Sequence, residues 1–176
     1  MRPEPDCRLC GLCEGRTNIV LPDGDPSTGI YLVGEAPGEN EDLQGRPFVG
    51  RSGAILEKMM ADAGLSRADV VITNTVKCRP PGNRDPTEEE MAACRPFLDS
   101  ELADARVVVG LGKSACRDLM GFEGRMAEIA NVPTTITVGG REVAFIPTYH
   151  PAATIYNKTS RAELARTMRM LAEDFR

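Results

Sequence analysis

Four cysteines have the type and spacing to hold a metal centre. Cys7 and Cys10 are separated by two residues, and Cys78 and Cys94 follow much later, sixteen positions apart. Thiolate sulfur binds zinc tetrahedrally or holds iron–sulfur clusters. Zinc ribbons use two Cys-x2-Cys pairs, whereas the wide second pair here fits a cubane cluster at least as well. The sequence predicts a metal centre and leaves both metals open.

Two further cysteines fit this centre less well. Cys13 extends the first pair to Cys-x2-Cys-x2-Cys, as in bacterial ferredoxins, but no Cys-Pro follows to complete that run. Cys116 lies beside small residues of a predicted helix, which favours a buried free thiol. Six structural cysteines without any metal are the alternative interpretation, because cysteine is often buried.

A second set of residues has the chemistry to bind a nucleobase. Phe48 is a rigid loop aromatic, Asn74 ends a predicted strand with both a donor and an acceptor, and His150 is the only histidine. Carboxylates are concentrated between residues 35 and 42. Each also has an ordinary structural interpretation. Phe48 could fill a gap in the core, Asn74 could cap a turn, His150 could be a packed core residue, and the acidic loop could simply be solvated. None is specific alone.

Residues 110–114 (Gly-Leu-Gly-Lys-Ser) are similar to the end of a phosphate-binding loop. That motif requires glycine at position 107, where this chain has Val107, so a strand-to-helix turn is the better interpretation. The chain also lacks a Gly-x-Gly-x-x-Gly fingerprint, which argues against a dinucleotide cofactor.

Alternating strands and helices are predicted to position these residues. Hydrophobic runs predict strands at 30–33, 70–73 and 107–109, and a hairpin at 134–138 and 142–146 turning on two glycines. Helices are predicted at 52–63, from Thr87 to Leu102 with a kink or break at Pro96, at 113–120, and from a Ser160 cap to Phe175. This alternation predicts an α/β fold with a mostly parallel central sheet.

The predicted loops place the candidate residues at one edge of that sheet. Residues 34–50 are rich in glycine, proline and acidic residues and predict a long loop, as do the proline-rich residues 77–86. Both loops, and the one after Tyr149, follow the carboxyl ends of strands, where ligands bind in open α/β sheets.

The bulk properties favour a single cytoplasmic domain over residues 1–176. The chain has no apolar run of the ~20 residues needed to span a bilayer, and its first residues lack the apolar core of a signal peptide. The net charge of −5 argues against a chain-wide basic surface. It leaves open a local basic patch drawn from Arg46, Arg51, Lys77, Arg79, Arg84 and Lys158.

In combination and order, five segments resemble the family 4 uracil-DNA glycosylases, iron–sulfur enzymes of bacteria and archaea. These segments are residues 34–38, 45–50, 72–74, 77–81 and 150–152. The resemblance implies an α/β/α sandwich around a four-stranded, mostly parallel sheet. It also implies a monofunctional glycosylase that flips uracil out of DNA and hydrolyses its N-glycosidic bond in base excision repair. Uracil-containing DNA is then the partner, and we expect a monomer.

The resemblance also implies individual roles. Phe48 would stack on the extruded uracil, Asn74 would bind its Watson–Crick edge, and His150 would donate to O2. The ligands of a [4Fe–4S] cluster would be Cys7, Cys10, Cys78 and Cys94.

Two carboxylates match acidic positions near the base and the attacking water. Ala36 stands where family 1 enzymes carry an aspartate that serves the water. We therefore favour Glu41 for the water and Glu35 for shaping the pocket.

For DNA contact we expect Arg79 and a minor-groove wedge at Ile155 or Tyr156. The arginine that often follows the wedge in the family is absent here.

Two other functions remain open from the sequence. One is a non-catalytic iron–sulfur DNA-binding module of a replication or repair protein. The other is a zinc-stabilised structural domain.

Overall fold

A five-stranded sheet forms the centre of the protein, which a computed structural model describes over residues 1–176. Its strands lie in the order β2-β1-β3-β5-β4. The strands are β1 (Ile30–Gly34), β2 (Val71–Asn74), β3 (Val107–Leu111), β4 (Thr134–Val138) and β5 (Arg141–Thr148). The α/β class and the mostly parallel sheet are confirmed.

The number of strands differs from the four expected. β4 pairs antiparallel with β5, while β2, β1, β3 and β5 run parallel to one another. The fifth strand exists because the Gly-Gly turn at 139–140 folds β4 back onto the edge of β5. Both turn glycines have positive φ, which this tight hairpin requires.

Six α-helices connect and flank the strands. None of them is long and apolar enough to cross a membrane. They are α1 (Glu39–Gln44), α2 (Arg51–Asp62), α3 (Glu88–Glu101), α4 (Lys113–Met120), α5 (Met126–Ile129) and α6 (Lys158–Asp174).

The helices cover both faces of the sheet and form the three-layer sandwich. Successive strand side chains point to opposite faces, so Leu32 packs with α2 and α6 while Tyr31 packs with α3 and α4. Both residues are almost fully buried. The continuous apolar runs of β1 and β3 follow from this, because strands covered on both sides carry no polar face.

The structure differs from the sequence predictions at three places that involve helices. Residues 34–50 are not a structureless loop, because they contain α1, which ends at Gly45 in the left-handed region. α3 runs through Pro96 unbroken, since Cys94 and Phe97 are buried on either side of the proline. Asn157, rather than Ser160, caps α6: its side chain accepts from the buried Ser160 N–H.

Candidate active site and cysteine cluster

A cavity of about 450 Å³ opens at the carboxyl ends of β1, β2 and β5. This is the edge of the sheet at which the predicted loops were expected to meet. The residues that sequence reasoning proposed for base binding and catalysis all line it: Glu35, Ala36, Glu41, Phe48, Asn74 and His150.

Phe48 is held in a strained conformation against the floor of the cavity. Its φ is +53°, in the left-handed region that a bulky residue rarely adopts. Such strain costs of the order of 1–3 kcal/mol and persists only where neighbours enforce it. Here Arg67 Nη1 donates to the Phe48 carbonyl at 3.0 Å, and a Cβ on Gly53 would lie 1.8 Å from that oxygen. The ring is fixed before any ligand arrives.

Glu41 braces this loop with both carboxylate oxygens. Oε1 accepts from the Gly38 N–H at 3.0 Å, which caps α1. Oε2 accepts from the N–H groups of Val49 and Gly50 at 2.8 and 2.7 Å. An ionised carboxylate has about four acceptor positions, so these three bonds leave one position on Oε1. Glu41 can therefore hold the Phe48 loop and still accept one more hydrogen bond.

Asn74 presents a buried acceptor without a partner. The residue is only 3% exposed, and its Oδ1 makes no hydrogen bond. Buried polar atoms are almost always paired, and leaving one unpaired costs roughly 1–3 kcal/mol. A Cβ on Gly34 would lie 2.6 Å from Oδ1 and 2.5 Å from Phe48 Cζ. Only glycine at position 34 allows the amide and the ring to approach this closely.

The backbone carbonyl of Asn74 accepts a hydrogen bond from a buried lysine side chain. Lys77 is 1% exposed, and its Nζ donates to the Asn74 carbonyl at 2.5 Å and to Thr73 Oγ1 at 2.8 Å. Glu101 of α3 completes the group, with Oε1 2.8 Å from Nζ. This ion pair fixes the end of β2, and Lys77 directly precedes Cys78.

His150 enters the cavity as a neutral donor. Its Nδ1 accepts from the Ala152 N–H at 3.1 Å, which places the ring proton on Nε2. Some of its surface faces the cavity, but the protein packed around the ring lowers the pKa of His150 to about 4. The ring lies 5.7 Å from the Phe48 ring, centroid to centroid. A cavity ligand thus meets an N–H donor without a positive charge.

Glu35 is a half-buried carboxyl that accepts a hydrogen bond from α4. Ser114 Oγ, near the start of α4, donates to its Oε2 at 2.7 Å. Burial raises the pKa of Glu35, the Ser114 hydroxyl opposes that shift, and the nearby carboxylate of Asp85 raises the pKa further. Sequence reasoning identified neither partner, since Ser114 lies 79 positions from Glu35.

The four predicted cysteine ligands are neighbours in the fold. All four line one small cavity between the N-terminal segment, residues 77–78 and α3. Arg16 lies beside them, with Nη1 2.6 Å from the Cys7 carbonyl and 3.7 Å from Cys78 Sγ. Cys13 does not line this cavity, and Cys116 belongs to the core between α4 and the sheet.

The sulfurs are not arranged as a ready-made metal site, since no three His, Cys, Asp or Glu side chains form a group that could hold a metal ion. Burial raises the pKa of Cys78 to about 11 and also raises that of Cys94. A metal would reverse this by stabilising the thiolates. The four cysteines that line this cavity supply the soft sulfur ligands of a thiolate-bound centre, whether a cluster or zinc.

Residues predicted to meet DNA lie outside the cavity. Tyr156 is 93% exposed, the most open of the large apolar side chains. Ile155 is half-buried and ends the short helix Pro151–Thr154 that follows His150. Arg79 is directed along its own loop, with Nε 2.6 Å from Asn83 Oδ1.

The family model for the uracil DNA glycosylase superfamily matches residues 21–172. The chain belongs to this superfamily. A Type-4 uracil-DNA glycosylase of Sulfurisphaera tokodaii is 41% identical, over 97% of this chain and 77% of that protein. One from Archaeoglobus fulgidus is also 41% identical, over 95% and 87%. A Type-5 uracil-DNA glycosylase of Thermus thermophilus is 38% identical, over 57% of this chain and 53% of that protein. The resemblance to family 4 is confirmed.

Within this superfamily fold, one ion pair was missed by sequence reasoning. Arg84 lines the cavity, and its two terminal nitrogens each lie 2.8 Å from a carboxylate oxygen of Glu90. The pair holds the pKa of Glu90 at about 2. The capping box from Thr87 to Glu90 was visible in the sequence, but the arginine that shares its glutamate was not.

Proposed function

We propose that this protein is a monofunctional uracil-DNA glycosylase that extrudes uracil into the cavity and hydrolyses its N-glycosidic bond, leaving an abasic site. Type-4 relatives at 41% identity over nearly the whole chain support this activity. The observation that carries the site assignment is the unpaired Oδ1 of Asn74, a residue that lines the same cavity as the Phe48 ring and the neutral His150.

Recognition of the base follows from the donors and acceptors of the two pyrimidines. Uracil carries an N–H at N3, which can satisfy the orphaned Asn74 Oδ1, and an O4 that can accept from the amide nitrogen. Cytosine presents an acceptor at N3, so Oδ1 would stay unpaired. Sites built to hydrogen-bond a specific group can reject an analogue lacking it by ~10⁴-fold or more. Stacking on Phe48 offsets part of the few kcal/mol needed to unstack the nucleotide.

Departure of the base is assisted by His150. Cleavage of the glycosidic bond leaves negative charge on the base, which resides partly on O2. A donor that is already oriented needs no reorganisation as this charge develops, and one such donor is worth about 3–4 kcal/mol. Because the ring is neutral, Nε2 donates a hydrogen bond without transferring its proton.

Two carboxylates serve the sugar and the water. The free acceptor position on Glu41 Oε1 is suited to orient a water molecule, while Val49 and Gly50 keep that carboxylate fixed. Glu35 shapes the pocket, and its negative charge stabilises the cationic character that develops on the sugar. Ala36 supplies no side chain able to act on the water.

We further propose that a [4Fe–4S] cluster is the group held by Cys7, Cys10, Cys78 and Cys94. Its role when bound is to cross-link the N-terminal segment, the loop after β2 and α3. Cys78 is four residues from Asn74, so this cross-link and the Lys77 ion pair fix the same loop. Reduced thiols persist in the cytoplasm, which is the compartment we propose.

DNA is expected to approach the open edge of the sheet. Tyr156 or Ile155 would fill the gap left by the flipped nucleotide, and Arg79 would contact the backbone. All residues of the proposed site come from one chain, so we expect a monomer to be active.

Incubation with an oligonucleotide carrying one uracil, followed by alkali, tests the activity. Strand breaks at uracil, and none in the matched cytosine oligonucleotide, are expected. Binding to DNA without base release would instead indicate a non-catalytic DNA-binding module and would refute the proposal.

A further inference from the structure

Ser114 lies directly behind a carboxylate of the proposed site. It is the second residue of α4, is 8% exposed, and donates to Glu35 Oε2 at 2.7 Å. It does not line the cavity. Glu35 lines the cavity, and its Oε1 accepts no hydrogen bond from a backbone N–H or hydroxyl group and is not a buried unpaired atom.

We propose that Ser114 is a positioning residue for base excision, which acts by holding Glu35 Oε2 so that Oε1 faces the sugar. This inference rests on the proposed glycosylase function and extends it to a residue outside the cavity.

The rest of Glu35 is fixed by its backbone, which leaves the carboxyl group as the part that Ser114 controls. The Glu35 carbonyl accepts from Thr75 Oγ1 at 2.6 Å and from the Val76 N–H at 3.4 Å. The hydroxyl of Ser114 donates to the side chain and stabilises its ionised form, whereas the Asp85 side chain, which also hydrogen-bonds to Glu35, stabilises the protonated form. Without the Ser114 hydroxyl, the carboxyl group could rotate around a fixed main chain.

The start of α4 is built for this contact. Gly112 has a φ of +96°, and a Cβ there would lie 2.9 Å from the Cβ of His150. The turn at Gly112 thus packs against His150 and also places Ser114 within hydrogen-bond distance of Glu35. The N-terminal end of a helix carries partial positive charge, which favours an ionised carboxylate. The Gly-Leu-Gly-Lys-Ser segment therefore places a hydroxyl donor beside Glu35.

Asp85 opposes Ser114 from the loop after β2. Its negative charge favours the protonated form of Glu35, whereas the Ser114 hydroxyl favours the ionised form. The other ionisable groups around the cavity are Glu39, Glu41, Arg51, Arg84 and His150. Of the charged groups, Asp85 is the one whose field reaches Glu35 strongly enough to shift its pKa.

Replacement of the two neighbours should therefore move the pH dependence in opposite directions. Loss of the hydroxyl in Ser114→Ala raises the pKa of Glu35, so the acid limb of the single-turnover rate moves to higher pH. Loss of the charge in Asp85→Asn moves that limb to lower pH. Ser114→Thr keeps a hydroxyl and should restore the wild-type profile.

The experiment measures single-turnover uracil release with saturating enzyme. The pH runs from about 4.5 to about 9, because ordinary carboxyl and α-amino groups titrate at about these values. We expect Ser114→Ala to lose about tenfold to hundredfold in rate, as misplacement of a reacting group does, with DNA affinity changed less than about twofold. Lys113→Ala is the matched control, because Lys113 is the exposed neighbour of Ser114 on α4.

The outcomes separate this inference from the function on which it rests. If wild-type protein releases no uracil, the proposed function fails. If wild type is active but Ser114→Ala matches Lys113→Ala in rate and pH profile, only the role of Ser114 is refuted. A threonine variant as slow as the alanine variant, with both as thermally stable as wild type, would also refute it.

Discussion

Replacement of His150 by alanine tests the electrostatic part of the mechanism most sharply. The variant removes the Nε2 donor. It also frees the Ala152 N–H, which donates to Nδ1 of the ring in the wild type, to bind water. One preorganised donor to a developing oxyanion is worth about 3–4 kcal/mol. At 1.36 kcal/mol per factor of ten, this predicts a loss of about 10²–10³ in single-turnover rate.

A second variant distinguishes lost hydrogen bonding from lost packing. His150→Gln retains an N–H donor without an imidazole ring and should recover part of the rate. His150→Phe keeps an aromatic ring beside Phe48 but supplies no donor, so it should be as slow as alanine. A phenylalanine variant within about threefold of wild type would contradict the reasoning, because the ring would then act only by packing.

The state of the ring makes an independent prediction about pH. The ordinary pKa of histidine is about 6.5, and burial lowers that of His150 to about 4. Stability that is fully present above about pH 6.5 is therefore lost progressively as the pH falls from 6.5 through 4, because the unfolded chain binds the proton first. Titration of the single histidine by NMR should show no transition near pH 6.5; a midpoint there would show that His150 is charged in mildly acidic solution.

Three further outcomes follow from the geometry. Asn74→Ala should lower uracil release at least ~100-fold with little change in thermal stability, because an unsatisfied acceptor is removed; near-normal release would remove Asn74 from base reading. Lys77→Met should destabilise the fold by about 3–5 kcal/mol, since it leaves Glu101 as an uncompensated buried charge; denaturant unfolding should show recovery when Glu101→Gln is added. Cys78→Ala should abolish the brown absorbance near about 400 nm that an iron–sulfur centre gives, whereas Cys13→Ala should retain it; a colourless wild-type protein containing zinc would contradict the cluster.

The residues that line the cavity were predictable because they follow strong local signals. Asn74 ends a hydrophobic run and His150 follows another, and burial of those runs fixes where each strand stops. Phe48 lies in the Gly-Arg-Pro-Phe-Val-Gly segment of the connection after β1. The carboxyl ends of parallel strands then bring them to one edge of the sheet. Four cysteines could be grouped in the same way, since their spacing is unusual for a chain of this composition.

What could not be predicted depends on contacts between distant residues. α1 forms inside an acidic loop because Asp42 is buried against the Thr17 and Asn18 N–H groups, which lie 25 and 24 positions away. Ser114 comes close to Glu35 only because β3, which precedes it, pairs with β1, which precedes Glu35. No local pattern in the sequence contains these pairings, and the helix-breaking tendency of Pro96 was overridden by burial on both sides of it.

Release of uracil is the most direct test of the central claim. Freshly purified protein, its cysteine-bound centre intact, is mixed with a labelled duplex containing one uracil, and free base and alkali-labile sites are counted over time. Equal numbers of free bases and alkali-labile sites are expected, with none from the cytosine duplex. Intact protein that binds the uracil duplex but releases no base would contradict the central claim.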